Sequence, residues 1–412
     1  MRFRRMLSTS VTPIAIDIGA ASVKLLQVTR GDKPGIFAAT ELAIPEEARN
    51  NIDRRFAFLA EQLPGVIKSC GFKGRRAICS PVSSHFTVQQ VQVQEGGPVS
   101  IDDQIRGEVA SRLGCTAANV VARSFDAHEQ GGEKSERVCL AIARDDVMRY
   151  VDAFKEARLD VVGVQPDQIA MMNAFRHLHR RAEDASVITM YVDAGWGAVK
   201  VVVGRGPDLV FARIIQVGGR HFDQVGSEVW GITPSEAGVR RMAEESEVSS
   251  AGGGVDMPKS EHETSAVLRA GLAKARNQSM AGEDHAAMSV MADRRNGESS
   301  AAMGSEVGAD GSPCLFSEVY DTVADELSMC ARYAAAGISG GAIQRLVFLG
   351  GESRSRALAA HLARAVGVKA SVGDPLKRYA GRELGGSVDV DTTRANPGWA
   401  VACGLCSTPV EM

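Results

Sequence analysis

Hydrophobic and polar positions along the 412-residue chain follow two rhythms, and their order repeats. An apolar strand delivers Asp17 to its end; Gly19 allows a sharp reversal into a second strand over residues 23–28, and a third follows over 36–44. Helical spacing then takes over at Phe56, Leu59, Leu63, Val66, Ile67 and Cys70, Gly71 closes that helix, and RRAICSPV reads as a strand. The second half opens in the same way. A strand ends on Asp193, Gly195 turns the chain, strands occupy 199–203 and 209–217, and Gly218-Gly219 leads into a helix with Phe222, Val225 and Val229 on its apolar face. The pattern predicts a duplicated α/β protein whose two halves face each other across a cleft.

Between the halves the pattern changes. VQQVQVQ over 88–94 alternates as a strand, Ile105, Val109 and Leu113 mark a helix, VCLAIA from Val138 is a second strand, and YVDAFKEARL a second helix before DVVGV. Such a stretch makes one compact α+β insertion. Residues 245–312 are rich in Ser, Gly, Ala, Met and charge with little apolar periodicity, and are expected to be largely disordered apart from a short helix over 264–276. Order resumes with Leu315, Val319, Val323 and Leu327 on one face of a long helix. A strand then meets Gly350-Gly351 and a helix over 355–366, the arrangement by which backbone NH groups and a helix start receive a phosphorylated ligand. The chain closes on ANPGWAVACGLC, an apolar helix expected to pack back on the first half with Trp399 in the core.

Composition narrows the function. A net charge of −3 argues against bulk nucleic-acid binding. No run reaches the roughly 18 apolar residues of a membrane span, and no secretory signal precedes the first strand, so a cytoplasmic location is expected. Cys403 and Cys406 form a CxxC within an apolar run with no basic neighbour and no second CxxC, which reads as packing rather than zinc or redox chemistry. His177, His179, Arg180 and Arg181 read as a solvated helix end.

The two Asp-x-Gly hairpins, the strand-GG-helix unit and the terminal NPGWAVACGL helix together resemble the ATPase fold of actin, the heat-shock ATPases and hexokinase. Finer features are similar to the PilM family, the actin-like proteins of type IV pilus assembly: IAIDIGAASVKLLQV, GGRHFDQVGSEVWGITPSEA and RLVFLGGESRSRALAAHLARAVG. That resemblance implies a ribonuclease H-like fold of two lobes around a nucleotide cleft. It divides the chain into 1A (11–83, 161–186, 380–412), an FtsA-like 1C insertion (84–160), 2A (187–230, 345–379) and 2B (231–344, containing 245–312).

By the same resemblance ATP is the ligand, with Asp17, Gly19, Ser22 and Lys24 in the first phosphate loop and Gly195 and Gly197 in the second. Gly218 and Gly219, further along the chain, are expected to bind the nucleotide as well, and Gly350 and Gly351 form the adenosine turn. Asp17 and Asp193 are implied to organise Mg²⁺ through water, Asp193 is a candidate catalytic group, and Asp167 is placed to orient an attacking water, with Gln168 as its substitute. Lys24 is open between phosphate contact and surface charge. Where relatives carry small or hydroxyl residues this chain has Ala20, Ala21, Trp196 and Ala198, and Glu352 stands where a third glycine is commoner. Trp196 would crowd a γ-phosphate, and an inward Glu352 would repel it.

The implied partner is the cytoplasmic tail of a PilN-like inner-membrane protein, tethering the chain at the membrane periphery. The expected groove runs along residues 82–94 and the helix at Ile105, with Val91 and Val93 as contacts. Self-association and hydrolysis stay open. Other pilus assembly proteins are further partners open to it, the machine is a type IV pilus or a related type II secretion system, and a degenerate pseudo-ATPase adaptor, an FtsA-like division protein and a sugar-kinase-like enzyme are the alternatives.

Overall fold

A computed structural model of the chain describes residues 10–127, 134–250, 315–337, 341–379, 381 and 385–408. The first half comprises β1 (Ile14–Ile18), β2 (Ser22–Val28), β3 (Ile36–Ala43), α1 (Glu46–Arg49), α2 (Ile52–Ser69) and β4 (Arg76–Ser80). An insertion follows with β5 (Thr87–Gln94), α3 (Ile101–Leu113), β6 (Val120–Asp126), β7 (Lys134–Ala143) and α4 (Arg144–Glu156), before β8 (Asp160–Val164) and α5 (Asp167–Phe175). The second half holds β9 (Ile188–Ala194), β10 (Val199–Arg205), β11 (Asp208–Ile215), α6 (Gly219–Trp230) and α7 (Pro234–Ser250). It continues with α8 (Ser317–Gly337), β12 (Arg345–Leu349), α9 (Arg356–Val366), β13 (Ala370–Val372) and α10 (Ala400–Cys406).

The duplication is explicit in the sheets. One has the order β3-β2-β1-β4-β8 and the other β11-β10-β9-β12-β13, each with an antiparallel hairpin pair on one side and parallel strands on the other. Every residue of β9 is buried, as expected of a central strand covered on both faces. α2 and α4 cover the outer face of the first sheet through Leu59, Leu63, Tyr150 and Phe154, and α8 and α9 cover the second through Val323, Leu327, Leu358 and Leu362. The insertion is a three-stranded sheet, order β5-β7-β6, with α3 on one face; its α3 is capped by Ser100, which accepts from Asp103 N at 3.1 Å.

Between the two large sheets lie α5 and α10, packed on each other within one core that joins Ala15, Leu26 and Ile78 of the first sheet to Tyr191 and Val202 of the second. The two helices approach so closely that a Cβ on Gly404 would lie 1.6 Å from the Ala170 carbonyl oxygen. Trp399, 2% exposed, belongs to this core, as do the buried Cys403 and the partly buried Cys406. Burial pushes the Cys406 thiol up to about 12, so neither redox nor metal chemistry is promoted there.

Four expectations are corrected. The insertion carries a strand, β6, between its first helix and β7, and residues 245–250, placed by composition in a disordered stretch, complete helix α7. The remainder of that stretch, residues 251–312 with the expected helix over 264–276, lies outside the described residues. Val229 does not face the core but is 61% exposed on α6. Val91, Val93 and Ile105, expected at a partner surface, are 3%, 1% and 2% exposed and fill the core of the insertion.

Gly404→Val forces the α5–α10 pair apart. Its expected cost is about 3 kcal/mol, at the upper end of overpacking penalties, read as a lowered urea midpoint with an unchanged slope.

Candidate functional site

Strand pairing sets the cleft. Asp17 at the end of β1 lies opposite Lys24 of β2, and Asp193 at the end of β9 lies opposite Lys200 of β10. The intervening turns are also alike: Gly19 N donates to Ser22 O at 2.9 Å and Gly195 N to Ala198 O at 3.1 Å. A side chain at Gly19 would press on the Ser22 carbonyl at 2.9 Å, so the tight turn requires glycine. The hairpin tips meet across the lobes, since a Cβ on Gly197 would be 2.9 Å from the Ala20 methyl. Beneath them opens a cleft of about 540 Å³, which Asp17, Gly19, Ser22, Lys24, Asp167, Asp193, Gly195, Gly197, Gly350 and Gly351 all line.

At its floor sits a lysine. Lys200 Nζ is 2.9 Å from Asp167 Oδ2 and 2.5 Å from Asp193 Oδ2, with the three side chains 13%, 3% and 10% exposed. Asp167, the first residue of α5 after Pro166, gains from the helix N-terminus and accepts a second bond from Ser83 Oγ at 2.7 Å. Its other oxygen, Oδ1, is buried with no hydrogen-bond partner among the described residues. Burial works to lower the Lys200 pKa, but the Asp167 and Asp193 carboxylates outweigh it and hold the amine above its ordinary value. Among the described residues Asp17 has no such contact. Burial raises its carboxyl from 3.8 to about 6, against the pull of Lys24 and Lys200.

Lys24 is turned to the rim of the cleft, 3.2 Å from Glu41 Oε1 and 3.1 Å from Ser22 Oγ, which itself donates to Glu41 Oε1 at 2.6 Å. Ser22 and Lys24 thus face the cleft already engaged with a carboxylate. Arg55, 3% exposed on the buried face of α2, donates to Gly19 O at 2.7 Å, Ala20 O at 3.1 Å and Arg49 O, pinning the first hairpin from below.

The second hairpin is held by a buried charge network. Trp196 Nε1 donates to Asp223 Oδ2 at 2.8 Å; Arg241 binds Asp223 Oδ1 at 2.8 Å through Nη2 and Glu352 Oε2 at 2.6 Å through Nη1. Glu352 therefore carries its own counter-charge rather than an open repulsion toward the ligand space. Burial raises its carboxyl and Arg241 draws it back only in part. Trp196 is fixed by Asp223 on one side and by the Arg49 guanidinium, 5.1 Å from the ring centre, on the other. Gly218 and Gly219 are not part of the cleft wall. They back the second turn: Gly219 N donates to Gly195 O at 3.0 Å and Arg220 N to Trp196 O at 2.8 Å. Gln168 is fully buried and likewise does not reach the cleft.

Gly350 must be glycine. Its φ of +85° is in the left-handed region, and a Cβ there would strike Ala194 O at 2.2 Å and Asp193 Oδ1 at 2.3 Å. Gly351, by contrast, faces open space. The residues expected to organise Mg²⁺ do not fit a metal in this arrangement, because the Asp193 oxygen that would face it is held by Lys200.

The two Asp-x-Gly turns and the Gly350-Gly351 turn, read from the sequence, meet at this cleft; Asp167, implied only by the resemblance, lies there too, and Lys24, left open between phosphate contact and surface charge, lines it while bound to Glu41. Lys200 carries the same signal, seven residues after Asp193 as Lys24 follows Asp17. Arg55 had a weaker one, a lone charge on the apolar stripe of α2. Asp223 and Arg241 had none, since each reads as an ordinary charge on a surface helix.

Two equivalent sheets, a central helix pair and a cleft between mirrored hairpins define an actin-like ATPase fold. The family model described as "Type IV pilus assembly protein PilM" matches residues 15–249, more than half of the chain, and the chain belongs to that family. Among solved structures it is similar to one described as the PilM–PilN type IV pilus biogenesis complex, at 16% identity and a TM-score of 0.64 over 97% of both chains. It also overlaps the ethanolamine utilization protein EutJ of Carboxydothermus hydrogenoformans, at 11% identity and TM-score 0.43 over 97% of this chain and 90% of that one. A third is component A of the (R)-2-hydroxyglutaryl-CoA dehydratase of Acidaminococcus fermentans, at 11%, 0.42 and 97% of both. No curated protein matches the sequence. Among the described residues no helix is long and apolar enough to cross a membrane.

The raised carboxyl of Asp17 has a thermodynamic sign. Between 3.8 and about 6 the folded protein holds a proton that the unfolded chain has released, so stability falls as pH rises through that window. Asp17→Asn is expected to be the more stable form above pH 6, by about 1–3 kcal/mol, with the difference gone near pH 4; urea unfolding at both pH values checks it.

Proposed function

We propose that the chain is an actin-like, ATP-binding scaffold of type IV pilus assembly, working at the cytoplasmic face of the inner membrane through the tail of a PilN-like protein. The observation that carries the nucleotide reading is the cleft itself. Two Asp-x-Gly turns converge on it, Gly350 and Gly351 open its far wall, and its volume of about 540 Å³ suits a nucleotide. In this reading Gly19, Ser22 and Lys24 attend the phosphates on one side and Gly195 and Gly197 on the other, while Gly218 and Gly219 act only by supporting the second turn. Gly350 and Gly351 receive the adenosine. Asp167, whose Oδ1 is a buried acceptor without a partner among the described residues, is the group suited to orient a water, with Asp193 beside it. The subdomain boundaries given from the sequence belong to the same reading.

Gly351 gives a clean test because a Cβ there meets no atom within 4 Å and its φ is unstrained. Gly351→Phe fills the ligand space. ATP affinity measured by equilibrium dialysis is expected to fall at least about tenfold while the melting temperature holds; wild type that binds no ATP, or a variant that binds equally well, rejects the nucleotide reading.

For the partner, the family membership is one support and the edge position of β5, bridged at Gln94 by the Gln104 side chain, the other. β5 is the outer strand of the insertion sheet, its Gln92 and Gln94 side chains are exposed, and an extended peptide adds readily to such an edge. Since Val91 and Val93 are core, the informative change is Gln92→Pro, which removes a backbone donor from the edge. A synthetic PilN-like N-terminal tail is expected to bind wild type and to lose most of its affinity for Gln92→Pro in fluorescence anisotropy. Equal binding by a folded variant places the tail elsewhere.

A further inference from the structure

We infer that Lys200 is the resident cation of the cleft, occupying with its ammonium the position between Asp167 and Asp193 that a divalent metal would need, so that nucleotide is taken up without one. This rests on the nucleotide reading above, but its first test does not.

Three observations converge. Two carboxylate oxygens at the floor of the cleft, Oδ2 of Asp167 and Oδ2 of Asp193, are each within charge-assisted hydrogen-bond distance of Nζ, at 2.9 and 2.5 Å. The contact is built rather than incidental: the β9–β10 register sets Lys200 directly opposite Asp193, and the start of α5 sets Asp167. Finally, the equivalent lysine of the other hairpin is not available for this role, since Lys24 is engaged by Glu41 and Ser22 at the rim. One lysine serves the carboxylates of the floor and the other serves the rim.

The charge balance points the same way. Asp17, Asp167 and Asp193 gather three carboxyl groups around a largely buried space, which demands a cation close by. A hydrated Mg²⁺ supplies that charge in a site of freely oriented oxygens and several waters. Here the space next to Asp167 and Asp193 is filled by a covalently attached ammonium that cannot diffuse away. Bringing in a metal means expelling Lys200 from two buried ion pairs, which leaves a desolvated ammonium without its partners.

The test is Mn²⁺ titration of the nucleotide-free full chain, followed by electron paramagnetic resonance of the free ion. Wild type is expected to show no tight site in the cleft, whereas Lys200→Ala gains one Mn²⁺ per chain, at least about tenfold tighter than any wild-type binding, and Lys200→Ala/Asp193→Asn loses it again. Lys200→Gln, closer in length, stands in if the alanine variant fails to fold. A wild-type site that Asp193→Asn abolishes overturns the inference, and so does a folded Lys200 variant that gains nothing. A second arm compares ATP affinity of wild type in EDTA and in excess Mg²⁺, where agreement within about threefold is expected and a Mg²⁺ requirement of about tenfold or more overturns it. Absence of ATP binding in both conditions sinks the nucleotide reading alone, and the Mn²⁺ result then decides the role of Lys200.

Discussion

The close crossing of α5 and α10 is the constraint on which the rest of the molecule depends. The two helices stand between the sheets, and their separation is set by the absence of a side chain at Gly404 against the Ala170 carbonyl. Because the central core takes residues from both sheets as well as from this pair, neither lobe can shift far without opening it. The first residue of α5 is Asp167, so the same packing that joins the lobes also delivers a carboxylate to the floor of the cleft. Fold and site share one support.

On that support the two hairpins are equivalent in backbone and different in chemistry. Register places a lysine opposite an aspartate in both. In the first, the lysine is drawn outward to Glu41, and Asp17 is left with a raised carboxyl; in the second, the lysine closes on Asp193 and Asp167. A duplicated framework therefore carries an asymmetric charge distribution, produced by partners that lie outside the duplicated motif. The Asp223, Arg241 and Glu352 network likewise lies outside the duplicated motif and fixes Trp196 at the cleft wall by giving its indole NH an acceptor.

What was legible in the sequence follows from burial. Central parallel strands such as β9 are covered on both faces and read as unbroken apolar runs, so both sheets and both Asp-x-Gly turns could be found. Helix α5 does not announce itself, because DQIAMMNAF is buried nearly all round and shows no amphipathic period. Strand β6 is silent for the opposite reason: it is an edge strand whose residues are mostly exposed. The C-terminal end of α7 belongs to a stretch whose composition speaks for disorder, and composition does not locate where a helix stops. Among the site residues, Gly19 and Gly350 were visible because the backbone of their turns demands glycine, Asp17 and Asp193 because they sit at fixed spacing before such turns, and Asp167 only through the family resemblance. Arg55 and Arg241 were not, because a buried arginine is defined by acceptors distant in sequence: two hairpin carbonyls in one case, Asp223 and Glu352 in the other.

The small insertion sheet also has two apolar faces. α3 covers one, while Val138 and Leu140 on the other join the central core beside Leu209 and Ala212 of β11, and Tyr333 of α8 reaches Glu136 of β7. A module threaded into the first half of the chain is thus glued to the second. Any displacement of it would bear on β11 and on its hydrogen-bonded neighbour β10, the strand that carries Lys200, so that the seat of the insertion and the charge arrangement of the cleft share one sheet.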